Sequence, residues 1–217
     1  MNINKHLIPL FSVLFFLFAV SVSSGCFRKN ESDVKSVVRN ELDQLKNPDS
    51  ETTQKYIPYT ELFPDATENT DLTDEINETF SLFFRKFNYK ISDVIVGTAN
   101  HSATVSVKLT TIDSKVLARD FKAELLRTQI TESAQAQTGS IKDSSRSLEA
   151  HYLILNHLLN TIDYDTAETD CNIQLVNTGN DKKEKWKIQR TNSLEDDLVG
   201  GLIADLANPD ILSPEDT

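Results

Sequence analysis

Two neighbouring stretches of sequence decide the fold, FFRKFNYKISDVIV at residues 83–96 and SATVSVKLTTID at residues 102–113. In the second stretch, every other residue from Ala103 to Leu109 is apolar and the residues between them are polar or charged. This period of two is typical of a β-strand with one buried face. Gly97 lies between the two stretches, at a position suited to a turn. The pair therefore predicts an antiparallel hairpin with one face against a core.

The first stretch keeps this alternation only if its phase slips once. Tyr89 and Ile91 share one face of an extended strand, but Val94 and Val96 fall on the other face. One extra residue near positions 92–93 would bring all four to the same face. Because such a β-bulge also bends the strand, the sequence predicts a curved sheet.

Helical patterns precede the hairpin. Ser32 or Asp33 is expected to cap a first helix, and Thr73 a second one. The second helix carries a largely aromatic ridge at helical spacing, which is typical of core packing rather than of a cofactor site. This ridge consists of Ile76, Phe80, Phe83, Phe84 and Phe87.

The second half of the chain repeats the alternation of helix and hairpin. Residues 114–162 have a helical pattern with a break near Gly139. Within it, residues 129–147 are poor in large apolar side chains and are expected to form an exposed helix or a mobile excursion. A second hairpin is expected next, with strands at about residues 167–176 and 183–191.

The chain is expected to end in a helix and a frayed tail. Ser193 and Asp196 resemble a capping box at the helix start. Leucines spaced from Leu194 to Leu206 supply its apolar stripe. Residues 208–217 contain two prolines and three acids and are expected to fray.

The order helix, helix, hairpin, long helical segment, hairpin, helix predicts an α+β domain, with helices packed on a curved antiparallel sheet built from two hairpins. The two stretches quoted above make the pattern of residues 32–191 similar to that of extracytoplasmic lipoprotein domains with the NTF2-like, cystatin-like fold. This resemblance implies a cone with a concave pocket between sheet and helices. It makes Tyr89, Tyr152 and Trp186 the candidate pocket residues, although no spacing places an acid opposite the tyrosines.

The amino terminus is organised like an export signal. Residues 1–6 are polar and carry Lys5, and residues 7–22 form an apolar run of 16 residues. A membrane-spanning helix needs about 20 apolar residues, whereas the core of a signal peptide needs only about 7–15. The run ends in Ser23-Ser24-Gly25-Cys26, where small side chains fit a signal peptidase and lead directly to a thiol.

These residues resemble a bacterial lipoprotein signal with its lipobox. The resemblance implies cleavage after Gly25, a diacylglyceryl lipid on Cys26 and, in some bacteria, acylation of the new amino terminus. It places the protein on the extracytoplasmic face of the cell membrane, or on an outer membrane if the cell has one, since Phe27 rather than Asp follows the cysteine. An uncleaved anchor or an ordinary secretory signal is the alternative, because Ser23 stands where the family usually has an aliphatic residue.

The charge of the chain argues against one class of partner, and the sequence pattern divides the chain into four parts. The 217 residues include 33 acids and 22 bases, with a net charge of −11, which argues against a nucleic-acid partner. Cleavage would remove one Lys and no acid, leaving 21 bases and 33 acids and a net charge of −12. The expected parts are a signal peptide at residues 1–25, a tether at 26–31, one α+β domain at 32–207 and a flexible tail at 208–217.

The residues that could carry chemistry form no known motif. His151 and His157 lie six residues apart rather than four, so a helical zinc pair is not expected. Residues 163–165 begin like a calcium loop but lack its later glycine and glutamate. With Cys26 acylated, Cys171 is left without a disulfide partner and is expected to be a buried strand residue. The lipid on Cys26 is therefore the one non-protein group that the sequence predicts.

Two classes of function remain open at this point. The first is a membrane-anchored binding or protein-interaction module whose ligand is a protein, another component of the cell envelope or a small apolar molecule. A structural or assembly role through the acidic surface is not distinguishable from it by sequence. The second is a small-molecule enzyme that uses the cone pocket. The lack of a recognisable catalytic motif favours the first class, and no catalytic or metal-binding residue is assigned.

Overall fold

The computed structural model describes residues 30–48, 62–63, 72–97, 101–136, 147–179 and 184–212. In chain order, the first elements are helix α1 at residues 30–44, helix α2 at Thr73–Phe83, a 3-10 turn at Phe84–Lys86, strand β1 at Asn88–Val96 and strand β2 at Ser102–Ile112. The elements that follow are helix α3 at Ser114–Ala136, helix α4 at Leu148–Thr161, strand β3 at Thr166–Asn177, strand β4 at Trp186–Ile188, helix α5 at Asn192–Leu198, helix α6 at Leu202–Ala207 and a 3-10 turn at Pro209–Leu212.

The described strands form one antiparallel sheet in the order β1-β2-β3-β4. Strands β1 and β2 form one hairpin, and β3 and β4 form the other. The predicted α+β class, with a curved antiparallel sheet from two hairpins packed against helices, is therefore confirmed.

The predicted bulge in β1 is also confirmed. Ile91 is opposite Val107 and Asp93 is opposite Ser106, so Ser92 is the additional residue. Because this extra residue shifts the phase, Val94 joins Ile91 on the side that is partly covered by the core. The bulge thus reconciles an irregular sequence with one apolar face.

The core lies between one face of the sheet and the helices. Buried side chains from α1 to α6 and from the strands form a single hydrophobic cluster. The aromatic ridge of α2 and the following turn lies at its centre, as the helical spacing predicts, with Phe80, Phe83 and Phe84 at most 2% exposed. On β2, the alternation from Ala103 to Leu109 points its apolar residues into this core.

The starts of the first two helices differ from the predictions. Helix α1 already includes residue 30, so neither Ser32 nor Asp33 caps it, and the fold reaches into the predicted tether. Thr73 is the first residue of α2, whose cap position is Leu72 and has no side-chain hydrogen bond. The start of a helix depends on local hydrogen bonds, and apolar periodicity does not resolve these to one residue.

The final helix differs more. It is two short helices, α5 and α6, because Gly200 and Gly201 adopt left-handed backbone conformations between them, with φ of 66° and 88°. The cap of α5 is Thr191, whose hydroxyl accepts a hydrogen bond from the backbone of Leu194, and not the predicted Ser193. Asp196 instead accepts a hydrogen bond from the backbone N–H of Ala204 in α6.

The other predicted boundaries have mixed outcomes. Helix α3 continues as an exposed helix as far as Ala136, and the predicted break near Gly139 lies outside the described residues. Strand β4 is short, with three residues rather than the predicted nine. In the predicted tail, residues 209–212 form a 3-10 turn, and residues 213–217 lie outside the description.

Candidate functional site

Tyr89, the first candidate pocket residue, has an acidic partner. Its phenol donates a hydrogen bond to Asp43 Oδ1 in α1 at 2.9 Å. The Lys46 ammonium lies 3.2 Å from the same carboxylate oxygen and 4.8 Å from the centre of the Tyr89 ring. These three side chains join the end of α1 to the start of β1.

The charges of this group follow from its surroundings. Burial first and Asp43 second raise the pKa of Tyr89 to about 12. The hydrogen bond from Tyr89, followed by that from Lys46, lowers the pKa of Asp43. At neutral pH, Tyr89 is therefore a protonated donor and Asp43 an ionised acceptor, which stabilises the contact between helix and strand.

The titration of Tyr89 tests this arrangement. The phenol is expected to ionise near pH 12, as measured by phenolate absorbance at 295 nm and assigned by subtracting the titration of Tyr89→Phe. Because the unfolded state loses this proton nearer pH 10, stability is expected to fall as the pH rises from about 10 to about 12. Asp43→Asn should move the pKa of Tyr89 only part of the way towards 10, since burial remains. An unshifted pKa in the parent protein would contradict the described contact.

The other two candidate pocket residues lie in the core. Tyr152 is fully buried, and its ring packs edge-on against Phe63 at 5.5 Å and Phe80 at 6.4 Å between ring centres. Trp186 is 6% exposed and donates its indole N–H to Glu184 at 3.2 Å. Both side chains thus serve packing in the described fold.

The register of the sheet separates Tyr89 from Trp186. Tyr89 is opposite Leu109 near one end of β2, whereas Trp186 is opposite Asn177, which bonds to the backbone of His101 just before the other end. Eight residue positions along β2 correspond to about 26 Å, and the two residues also lie on opposite edge strands. The structure therefore does not bring these two side chains together.

Cys171 is a buried thiol on β3, as the strand pattern predicts. It hydrogen-bonds to Asp197 of α5, and burial, with Asp197 as the smaller cause, raises the pKa of the thiol to about 12. Burial also raises the pKa of Asp197. Since the thiolate is the nucleophile, Cys171 is a poor one in the folded protein.

The acidic residues near the joint of α4 and β3 pair with lysines. Asp163 lies 2.7 Å from Lys86, which also donates to the backbone oxygen of Tyr164 at 2.6 Å. On the strand itself, Lys108 lies 3.1 Å from Glu168 and 3.9 Å from Asp170. Across the part of the chain that the structure describes, no three His, Cys, Asp or Glu side chains are grouped to hold a metal ion.

The three histidines that the structure describes differ in their surroundings. His151 is half-buried, with its ring 4.8 Å from that of Phe63 and 5.7 Å from that of Phe121. Its Nδ1 lies 2.8 Å from the backbone oxygen of Ser147. His157 and His101 are exposed. This geometry makes His151 a packing residue at the edge of the core.

The sheet face opposite the core carries a ladder of polar pairs between β2 and β3. Thr104 donates to Gln174 and Ser106 donates to Asn172, each at 2.9 Å, and Lys108 continues the row. These cross-strand bonds satisfy the side chains within the sheet and leave a polar, solvent-facing surface.

The predicted lipid site lies outside the described residues, which begin at residue 30; this applies to Cys26, to Gly25 and to the apolar run. Within the described ranges, no helix is both long enough and apolar enough to cross a membrane. Comparison with protein-family models, with curated proteins and with solved structures finds no match to this chain.

Proposed function

We propose that this protein is a lipid-anchored extracytoplasmic lipoprotein whose folded domain is a binding or interaction module. The observation that carries the proposal is the order of parts at the amino terminus. An apolar run of 16 residues ends in Ser23-Ser24-Gly25-Cys26, and helix α1 is already formed at residue 30. A cut after Gly25 would therefore leave the whole described fold intact.

The short spacing between lipid and fold supports an anchored domain. Three residues lie between Cys26 and residue 30, and the four extended residue steps from one to the other reach about 14 Å. Two or three acyl chains on Cys26 would anchor it stably, at about 0.8 kcal/mol per buried CH₂ group. The domain would thus be held close to the membrane surface without a spanning helix.

The positions of the candidate pocket residues support a binding role more than an enzymatic one. Tyr152 and Trp186 are buried in the core, and the sheet register separates Trp186 from Tyr89. A proton-transfer site in a cone pocket needs such groups to converge on one point. The solvent-facing sheet surface, in contrast, offers an ordered set of polar groups for a partner in the cell envelope.

Mutation of Cys26 tests the anchor. In a bacterial host that processes lipoproteins, the protein is expected in the membrane fraction, with a mature chain that begins at Cys26 and has the added mass of a diacylglyceryl group. Cys26→Ser should remove nearly all of it from that fraction, because no thiol remains to take the lipid. Intact-mass spectrometry and membrane fractionation provide the two measurements.

Cys171→Ala is the matched control, since it removes the buried thiol and leaves the anchor unchanged. This variant should stay in the membrane fraction and carry the same added mass as the parent. A mature chain with an unmodified Cys26 would contradict the proposal. Crosslinking of the anchored protein in its cells, compared with Cys26→Ser, would then identify partners that require the membrane location.

A further inference from the structure

Helix α3 has a second apolar side that faces away from the core. Leu117 and Phe121 are at most 3% exposed and pack inwards. On the opposite side, Leu126 is 48% exposed and Ile130 is 61% exposed. At about 100° per residue, the two pairs lie on opposite sides of the helix. One side belongs to the core, and the other is exposed in the part of the chain that the structure describes.

Three basic residues lie on this outward side together with the apolar ones. An arc of roughly 120° on the outside of α3 contains these residues and no acid. We call it the basic-apolar face, and it is defined by Lys115, Arg119, Ala123, Leu126, Arg127 and Ile130. Each of the six side chains is exposed.

Two acids border the face without entering it. Asp120 lies 3.5 Å from Arg119, and Glu124 pairs with Arg127. At about 100° per residue, Lys115 and Arg127 lie at the two margins of the face, and Arg119 lies between Leu126 and Ile130. The whole chain has a net charge of −11, whereas the residues of this arc include three cations and no acid.

This combination has the chemistry of a helix that lies in a membrane interface. Such helices bury apolar side chains at the boundary of headgroups and acyl chains, while Lys and Arg at their margins reach anionic headgroups. An acidic domain held near an anionic bilayer is repelled by it overall. The basic-apolar face is the part of α3 that avoids this repulsion and gains from burial.

We propose that the basic-apolar face of α3 rests on the anionic bilayer surface and so sets the orientation of the domain. This inference rests on the proposed lipid anchor. A tether of about 14 Å is shorter than the radius of gyration of about 16 Å that a domain of this size has. The anchored domain therefore stays in contact range of the bilayer, where even a weak second contact is populated because its effective concentration is high.

Fluorescence depth measurements on the full anchored protein test the orientation. Ile130→Cys carries an environment-sensitive dye on the basic-apolar face, and Asn172→Cys carries the same dye on the polar sheet face as the matched control. The protein is reconstituted through its native lipid into vesicles of phosphatidylglycerol and phosphatidylcholine. The parent protein gives the background, since Cys171 is buried with a pKa of about 12.

At position 130, spin-labelled lipids are expected to quench the dye at least about threefold more strongly than at position 172, and aqueous iodide correspondingly less. Vesicles of phosphatidylcholine alone should reduce this difference. Equal quenching at both positions in floating vesicles would overturn the proposed orientation and leave the anchor intact. Protection at position 130 from both quenchers would also overturn it, in favour of a protein covering the face.

Failure of the anchor itself gives a different result. Labelling of Cys26 in the parent protein, or vesicles that float without protein, would contradict the proposed function and this inference with it. Charge reversal distinguishes the effect of the basic-apolar face from the effect of the protein's net charge. Arg119→Glu with Arg127→Glu should abolish the lipid quenching at position 130. The same net change on the sheet, Lys90→Glu with Lys187→Glu, should leave it within about twofold of the parent.

Discussion

Replacing Phe84 with alanine is expected to lower the free energy of unfolding by about 3–5 kcal/mol. Phe84 is 1% exposed and begins the 3-10 turn that joins α2 to β1. Its ring centre lies 5.3 Å from that of Phe83, 5.5 Å from that of Phe87 and 6.3 Å from that of Phe80. Alanine would leave a cavity among the rings of Phe80, Phe83 and Phe87, which α2 and the following turn hold in place, so the site cannot collapse easily.

Urea unfolding measures this effect, with fluorescence of Trp186, the single tryptophan, as the signal. The transition midpoint should fall while its slope stays constant. Ile95→Ala is the matched control, because Ile95 is 62% exposed and should change stability by less than about 0.5 kcal/mol. Similar losses for Phe84→Ala and Ile95→Ala would mean that the aromatic ridge is not the centre of the core.

Replacing Gly200 with alanine is expected to lower the free energy of unfolding by about 3 kcal/mol. Two effects add to give this loss, strain in the backbone and a steric clash of the new Cβ. The backbone at Gly200 has φ of +66°, which disfavours any residue with a Cβ. An added Cβ would also lie 2.2 Å from Thr111 Oγ1 and 3.3 Å from Thr111 Cβ at the end of β2. Because Thr111 is buried, the strand or the link between α5 and α6 would have to move.

Gly201 provides the control for the steric clash with Thr111. Its φ of +88° is equally left-handed, but the nearest atom to an added Cβ is Ser114 Oγ at 3.8 Å. Gly201→Ala should therefore cost only about 1 kcal/mol, for the backbone alone. Thr111→Ala in the Gly200→Ala background should recover part of the loss, as measured in a double-mutant cycle by urea unfolding. Equal losses at both glycines and no recovery would rule out the contact with Thr111.

The sequence predicted those parts of the fold that depend on short-range patterns. Both hairpins and the bulge at Ser92 follow from alternation over ten residues, and the buried Phe80 and Phe84 follow from helical spacing. The division between α5 and α6 was missed, although consecutive glycines at 200–201 inside a leucine stripe were a visible signal for it. The spacing of the leucines predicts one continuous helix, because this spacing carries no information about the backbone conformation at residues 200–201.

The candidate site was predicted less well, for a physical reason. The bond from Tyr89 to Asp43 joins residues 46 positions apart, and no local pattern reports how α1 lies against β1. Trp186 and Tyr89 both have aromatic character suited to a pocket, yet strand register places them at opposite ends of the sheet. Such juxtapositions depend on tertiary packing, which composition and spacing do not determine.

The bulge in β1 affects how the edge of the sheet can meet the sheet of a neighbouring molecule. Among the described residues, β1 has β2 as its one pairing partner, so it is an edge strand of the kind that can template pairing between molecules. Ser92 interrupts its hydrogen-bonding register, and Lys90 and Asp93 place opposite charges on either side of the interruption. An edge so twisted and charged is a poor template for a second sheet. Crowded copies of this domain could then lie side by side without their sheets joining into aggregates.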